Sequence, residues 1–156
     1  MRKVLSSGLV MFAGVVSPVA VSHRQTSAPP PEYRHDPRSE TLRKFFQKSD
    51  CPAQQYSDVF LEAADRYALD WRLLPSLSYV ESTGGKQAPN NNLFGWDSGR
   101  ARFDTPTQSI HQVGYRLAHS NLYRDKALDE ILATYNPNAE YAEKVKSVMR
   151  QIAAEE

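Results

Sequence analysis

The segment spanning residues 71–82 constrains the fold of this 156-residue chain more than any other stretch. At helical spacing its apolar side chains occur on nearly every side, which is typical of a helix buried in the middle of a domain. Asp70 precedes the segment as an N-cap residue, and Gly84-Gly85 ends it. Pro75 lies beyond the first turn of such a helix, so we expect a kink or a loosened opening turn there. The pattern predicts a central helix around which the other segments pack.

The segments on either side of this helix are apolar on one face only, as helices at a domain surface are. Between them, residues 86–102 are rich in Asn, Gly, Pro, Asp and Ser, which favours an irregular loop or a small hairpin. The sequence therefore predicts a mainly α domain over residues 49–153 with a short irregular or hairpin lobe. The predicted surface helices follow Pro52, a capping box at residues 105–108, Asp125 and the cap residue Asn138.

The N-terminus has the pattern of a secretory signal peptide. Arg2 and Lys3 precede an apolar stretch over residues 4–16, and small residues follow it. The stretch is shorter than the roughly 20 residues that a membrane-spanning helix needs. We expect cleavage near Ser22, so that residues 1–22 are removed. The mature protein is then not stably inserted in the membrane, and it is exported to the periplasm, the cell wall or the extracellular space.

Two segments precede the predicted domain. Residues 23–35 are polar and rich in proline, so they cannot bury enough apolar surface to fold, and we expect a disordered tether. Asp36-Pro37 is a helix-start signal, and Leu42, Phe45 and Phe46 follow at helical spacing. A short accessory helix is therefore expected over residues 36–48. The sequence leaves open whether it docks on the domain or is isolated.

Charge and composition indicate no cofactor. Lys and Arg total 19 against 18 Asp and Glu, so no strong field points to nucleic acid as a partner. Cys51 is the only cysteine, which excludes an internal disulfide framework and a cysteine-rich metal cluster. Two of the four histidines lie in the tether, and His111 and His119 lack an accompanying ligand cluster, so no metal site is predicted. No glycine-rich phosphate loop follows a strand.

Glu81 is the residue that points to catalysis. It shares a helical face with Leu74, Leu77 and Ser78 near the end of the most apolar helix. Partial desolvation there raises the pKa of a carboxyl group, which makes a proton available to a glycosidic leaving oxygen near neutral pH. The alternative is a capping or ion-paired glutamate at a helix end, and position alone does not decide between the two.

The residues around Glu81 resemble those of known wall-degrading enzymes. Residues 81–85, Glu-Ser-Thr-Gly-Gly, and residues 91–96, Asn-Asn-Leu-Phe-Gly-Trp, resemble signatures of bacterial endo-β-N-acetylglucosaminidases. Residues 133–137, Ala-Thr-Tyr-Asn-Pro, with Tyr141-Ala142 and Val145, resemble the corresponding elements of lytic transglycosylases. Both families have the lysozyme-like fold. The resemblance implies a lysozyme-like helical domain that cleaves β-1,4 bonds of peptidoglycan glycan strands, its expected partner.

The same resemblance implies the residues of the site. The catalytic glutamate of the families falls on Glu81, and the serine that orients it or the substrate's amide falls on Ser82. The loop with Asn92, Phe94 and Gly95 falls on one wall of the glycan groove. Tyr135 and Asn136 fall on the wall that faces the acid. The substrate-binding residues implied in this way are Ser82, Asn92, Phe94, Gly95, Trp96, Tyr135 and Asn136.

Some of these residues also fit simpler roles. Phe94 and Trp96 are aromatic residues that can anchor a loop rather than bind sugar. Tyr135 and Asn136 can simply end a helix, because Asn-Pro forms turns in any protein. The choice stays open at the level of sequence.

The chain also departs from both families. The Gly-Leu-Met-Gln run of the transglycosylases is absent, and the lobe that often carries a second carboxylate is short. Asp97 and Asp104 are the only acids between Glu81 and the capping box, and both are interpreted as turn residues. A single glutamate suffices if the substrate's N-acetyl group is the nucleophile. The product then carries a reducing or a 1,6-anhydro sugar.

Two other functions compete with this one at the level of sequence. A non-catalytic peptidoglycan-binding or scaffold module of the same fold is the main alternative, favoured by the missing second acid and opposed by the presence of Glu81. A glycoprotein endoglycosidase is disfavoured by the bacterial-style signal and the small size of the chain.

Overall fold

A computed structural model of the chain describes residues 32–155. The predicted signal peptide and tether residues 23–31 lie outside this range. Within it the secondary structure is helical and contains no strand, which confirms the mainly α prediction and makes the lobe after the central helix an irregular loop rather than a hairpin. The α-helices are α1 (Pro37–Lys48), α2 (Ser57–Arg66), α3 (Leu73–Ser82), α4 (Pro106–His119), α5 (Leu128–Tyr135) and α6 (Ala139–Ala153), with 3-10 turns at Tyr33–His35, Pro52–Tyr56 and Pro89–Asn91.

Helix α3 is the central helix that the sequence predicts. Leu74 and Leu77 are fully buried, and the helix packs against α2 and α6. It begins at Leu73, two residues later than expected, after a turn at residues 71–72 in which the Asp70 carboxylate accepts the N–H of Arg72 at 2.9 Å. Pro75 therefore lies in the first turn, where its missing N–H costs no intrahelical bond, and the expected kink or loosened turn is not required.

Helix α1 belongs to the same core. Phe46 is fully buried and stacks on Phe60 of α2 with ring centroids 5.8 Å apart, and Phe45 packs on Tyr79 of α3 at 5.1 Å. Of the two alternatives that the sequence leaves open, the structure shows the one in which α1 docks on the domain. The buried residues of α1 begin at Ser39, so the core extends before the predicted domain boundary at residue 49. The apolar stripe of α1 adds buried side chains to the core formed by the later helices.

The chain entering α1 is also ordered. Asp36 caps the helix by accepting the Arg38 N–H at 2.8 Å. Before it, Tyr33–His35 forms a 3-10 turn, and the Arg34 carbonyl accepts a hydrogen bond from the Arg43 guanidinium at 2.9 Å. The prediction of disorder is therefore wrong for the last three residues of the tether.

Most other helix boundaries follow the predicted signals. Asn138 caps α6 by accepting the Glu140 N–H at 2.9 Å. The Thr105 hydroxyl accepts the Gln108 N–H at 3.1 Å, but the Gln108 side chain binds the backbone N–H of Asp104 instead of closing the capping box. Pro52 opens a 3-10 turn, and the α-helix starts only at Ser57. Among the described residues, none of the helices is both long and apolar enough to cross a bilayer.

Candidate active site

Glu81 lies in the last turn of α3, and its side chain is half-buried. The helix ends at Ser82, and its C-cap residue Thr83 has a left-handed φ of 53°. The Gly84 N–H donates a hydrogen bond to the Ser78 carbonyl at 3.2 Å. A Cβ on Gly84 would lie only 2.8 Å from the Cβ of Cys51, so glycine is required for this close approach. The reversal lets the following loop pass over the end of α3.

The Glu81 carboxylate is held between that loop and α6. Its Oε1 accepts a hydrogen bond from the Tyr141 hydroxyl at 2.7 Å. Its Oε2 lies over Gly95, because a Cβ built on Gly95 would fall 2.6 Å from it. No ion pair to Glu81 occurs among residues 32–155, so the alternative of an ion-paired glutamate is not what this part of the chain shows.

The surroundings of Glu81 raise its pKa above that of an exposed glutamate. Burial raises the pKa of Glu81, and the hydrogen bond from Tyr141 partly opposes this because it stabilises the carboxylate. Burial and the adjacent carboxylate also raise the pKa of Tyr141, which keeps its hydroxyl protonated as a donor. The pair can therefore release a proton and then stabilise the charge that remains.

Tyr135 supports this arrangement from α5. Its hydroxyl donates to the Phe94 carbonyl at 2.6 Å, and its ring stacks on Tyr141 at 6.0 Å with an interplanar angle of 7°. Burial, followed by the charge of Glu81, raises the pKa of Tyr135 well above its usual value. Tyr135 thus fixes both the loop and the ring that binds the acid.

Tyr141 is the site residue that sequence reasoning missed. Its position in the apolar stripe of α6 predicts a core residue, and at 8% exposure its ring is one. Only its hydroxyl reaches the acid. The match of Tyr141-Ala142 to the transglycosylase element was the one signal that pointed to it.

Ser82 and Asn92 hold the loop rather than face a substrate; each is only 2% exposed. The Asn92 amide bonds both backbone groups of Trp96, accepting its N–H at 2.9 Å and donating to its carbonyl at 3.0 Å. The Ser82 hydroxyl accepts the Gly85 N–H at 3.0 Å and lies 2.9 Å from the Leu93 carbonyl. Ser82 therefore holds the loop in place and does not contact the acid or face a substrate directly.

Phe94 and Asn136 follow their simpler interpretations. Phe94 is fully buried and packs edge-on against Phe60 at 6.5 Å, so it anchors the loop instead of lining a groove. Asn136 caps the end of α5, and its side-chain oxygen accepts the Asn138 N–H at 3.0 Å in a turn.

A cavity of about 230 Å³ lies beside the acid. Glu81 is not one of its lining residues, but Gly95, which touches the carboxylate, is. Of the predicted substrate-binding residues, the structure thus brings Gly95, Trp96 and Tyr135 together next to Glu81. The lining residues are Gly95, Trp96, Asp97, Ser98, Tyr123 and Tyr135.

A larger cavity, of about 780 Å³, is lined by residues around Cys51 and Lys86. Burial raises the pKa of the Cys51 thiol, which disfavours the nucleophilic thiolate. The Lys86 ammonium donates to the Ser49 carbonyl at 2.9 Å. The larger cavity is therefore not the candidate active site on size alone. The smaller cavity lies beside a carboxyl group that can act as an acid.

Neither nearby aspartate is poised as a second acid. Asp97 is exposed, has a left-handed φ of 53°, and pairs with Arg100 at 2.8 Å. Asp104 is exposed and accepts a hydrogen bond from the Gln108 amide at 3.2 Å. Both fit the predicted turn roles, although Asp97 also lines the cavity beside Glu81.

The role given to Ser82 has a measurable consequence. Ser82→Ala should lower the free energy of unfolding by about 1–3 kcal/mol, because it removes the acceptor of the Gly85 N–H and the single O–H donor within reach of the buried carbonyls of Leu93 and Ser78. Urea unfolding measures this. The control is Ser147→Ala on α6, expected to change stability by about 0.5 kcal/mol at most. Equal small effects of both substitutions would contradict the structural role.

Among residues 32–155, no group of three or more His, Cys, Asp or Glu side chains is placed to hold a metal ion. Comparison with known proteins adds no assignment, since no family model, curated protein or solved structure matches the chain.

Proposed function

We propose that this protein is an exported, lysozyme-like peptidoglycan hydrolase that cleaves β-1,4 glycosidic bonds with Glu81 as its acid. One observation carries the proposal. A half-buried carboxyl group without an ion-pair partner in the described range lies in the last turn of the central helix. The Tyr141 hydroxyl donates a hydrogen bond to one of its oxygens, and the other lies against Gly95. The signal-peptide pattern of residues 1–22 is consistent with a substrate outside the cytoplasm.

Glu81 acts twice in the proposed reaction. It first donates its proton to the glycosidic oxygen, and the bond from that oxygen to the anomeric carbon breaks. The carbonyl oxygen of the sugar's own N-acetyl group bonds to the anomeric carbon and compensates its charge. Tyr141 meanwhile donates its hydrogen bond to the newly formed carboxylate.

The second step regenerates the acid. The Glu81 carboxylate takes a proton from water or from the sugar's 6-hydroxyl, and the oxygen so activated attacks the anomeric carbon and displaces the acetamido oxygen. Water gives a reducing end, whereas the 6-hydroxyl gives a 1,6-anhydro end. This route needs no second carboxylate, in keeping with the pairing of Asp97 with Arg100.

A non-catalytic wall-binding module is the competing function. Keeping a desolvated carboxyl group costs stability, and a binding module gains nothing from its raised pKa. Incubating the mature chain with purified cell walls separates the two functions. Falling turbidity supports the hydrolase, whereas binding without any fall in turbidity supports the module.

Tyr141→Phe tests the proton chemistry. An acid must be protonated, so activity falls as pH rises through the pKa of Glu81. Because the Tyr141 hydroxyl lowers that pKa, its removal should move the basic limb of the kcat/KM profile to higher pH. Tyr79→Phe, elsewhere on the core, is the control and should leave the limb in place. A limb that stays put or moves to lower pH in Tyr141→Phe would contradict this.

A further inference from the structure

Trp96 has the largest side chain in the lining of the cavity beside Glu81, and it is half-buried. An aromatic ring in such a place can pack against the apolar C–H face of a sugar. The Asn92 amide fixes the backbone of Trp96, bonding its N–H at 2.9 Å and its carbonyl at 3.0 Å. These bonds do not set the side-chain torsions, so the direction of the ring depends on the groups packed against it.

Three side chains pack against the ring. Tyr135 meets it edge-on, with ring centroids 5.6 Å apart and an interplanar angle of 73°, and Tyr123 lies at 6.2 Å with an angle of 47°. Both tyrosines line the same cavity as the ring. The third is Arg116 of α4, whose Cζ lies over the ring, 5.4 Å from its centroid and within the range of a cation–π interaction.

Arg116 contacts the ring from outside the cavity, since it is not one of the lining residues. Its side chain is exposed, and no acid among residues 32–155 forms an ion pair with it. Within this part of the chain, no carboxylate therefore draws the guanidinium away from the indole. A residue in this position acts on a bound ligand through the ring and not by direct contact.

We propose that Arg116 is a positioning residue that holds the Trp96 ring in the direction in which it receives a sugar beside Glu81. The inference rests on the proposed function and adds a residue to the same site. Without the guanidinium, the ring spends part of its time in other rotamers. The apparent affinity of a site falls with the fraction of molecules that are competent to bind. A cation–π interaction at an exposed position corresponds to about two- to fivefold in that affinity.

The fluorescence of Trp96 reports on the ring without any turnover. The chain has two tryptophans, so Trp71→Phe leaves Trp96 as the single indole. In this background Arg116→Gln should raise the rate constant of quenching by acrylamide, because one face of the ring loses its cover. Arg116→Lys keeps a cation near the ring and should give an intermediate value. Arg150→Gln, which removes an exposed arginine of α6, is the matched control and should leave quenching unchanged.

Calorimetry with a β-1,4-linked trimer of N-acetylglucosamine measures the effect on binding. In Glu81→Gln protein, Arg116→Gln should weaken binding about two- to fivefold, and Arg116→Lys should recover part of the loss. In protein that also carries Trp96→Ala, Arg116→Gln should have no further effect, because the ring through which it acts is gone. Circular dichroism confirms that each variant is folded.

Kinetics on soluble, uncross-linked glycan strands separate positioning from catalysis. With Glu81 present, Arg116→Gln should raise KM by about the same two- to fivefold factor and leave kcat unchanged. This split is expected because a sugar packed on the ring is bound equally in the ground state and in the transition state. A merely structural role would instead lower the amount of folded enzyme and leave KM as it is.

Four results would overturn the inference: quenching and affinity that Arg116→Gln leaves unchanged, a loss of affinity that is equally large with Trp96→Ala, Arg116→Lys protein that behaves like Arg116→Gln, or no binding of the trimer at millimolar concentration. Failure of the proposed function looks different. In that case the wild type leaves cell walls intact, while the changes in quenching and in trimer affinity caused by Arg116→Gln persist.

Discussion

Glu81→Gln should lower the rate of glycan cleavage by about a hundred- to ten-thousand-fold or more, the range that general acid catalysis contributes. Glutamine has nearly the same size and can still accept the hydrogen bond from Tyr141, so the site should keep its shape. It has no acidic proton to give to the leaving oxygen. The measurement is the initial rate of turbidity loss on purified walls, with equal thermal stability of both proteins as the check on folding.

Asp97→Asn and Asp104→Asn are the matched controls. Each removes one carboxylate charge near the same loop, but neither residue has a direct role in the proposed mechanism, so each should cost far less activity. Sedimentation with purified walls should show that all three variants still bind glycan. A collapse of activity in either aspartate variant, with the fold intact, would mean that a second carboxylate takes part and that the single-acid mechanism is wrong.

Gly95→Ala should lower activity by about a hundredfold while the protein stays folded. The added methyl group would lie 2.6 Å from Glu81 Oε2, so the carboxylate must move away and lose its hydrogen bond from Tyr141. Displacing a catalytic group by about 1 Å costs on the order of a hundredfold in rate. Alanine at the φ of +57° also costs roughly 1–2 kcal/mol of stability.

Gly99→Ala separates the two effects of that substitution. Gly99 has a φ of +81°, but a Cβ there meets nothing within 4 Å. It should therefore cause a similar loss of stability by thermal unfolding and almost no loss of wall-cleaving activity. If both alanine variants lost activity in parallel with stability, the contact of Gly95 with the acid would not be the cause.

The helical framework was open to prediction because its signals are local. The all-round apolar pattern of α3 and the caps at Thr105 and Asn138 are short-range features, and each is seen in the structure. The docking of α1 was not predictable in this way. Its stripe predicts that one face is buried, but not that Phe46 stacks on Phe60 of α2.

The site was predictable only in part for the same reason. Glu81 stands out because a carboxyl group in an apolar helix is costly. The hydroxyl of Tyr141, 60 residues away, reaches it only through the packing of α6 on α3. Ser82 and Asn92 have the residue types of substrate-binding groups, yet their burial and their hydrogen bonds to the loop backbone follow from how the loop closes.

Mass spectrometry of the products released from purified peptidoglycan tests the central claim most directly. The wild type should release soluble glycan fragments that all end in one kind of newly formed sugar, either reducing or 1,6-anhydro, and Glu81→Gln should release almost none. Release of the same fragments at the same rate by both proteins, or no release by correctly folded wild type, would contradict the role of Glu81 as the acid of a peptidoglycan-cleaving enzyme.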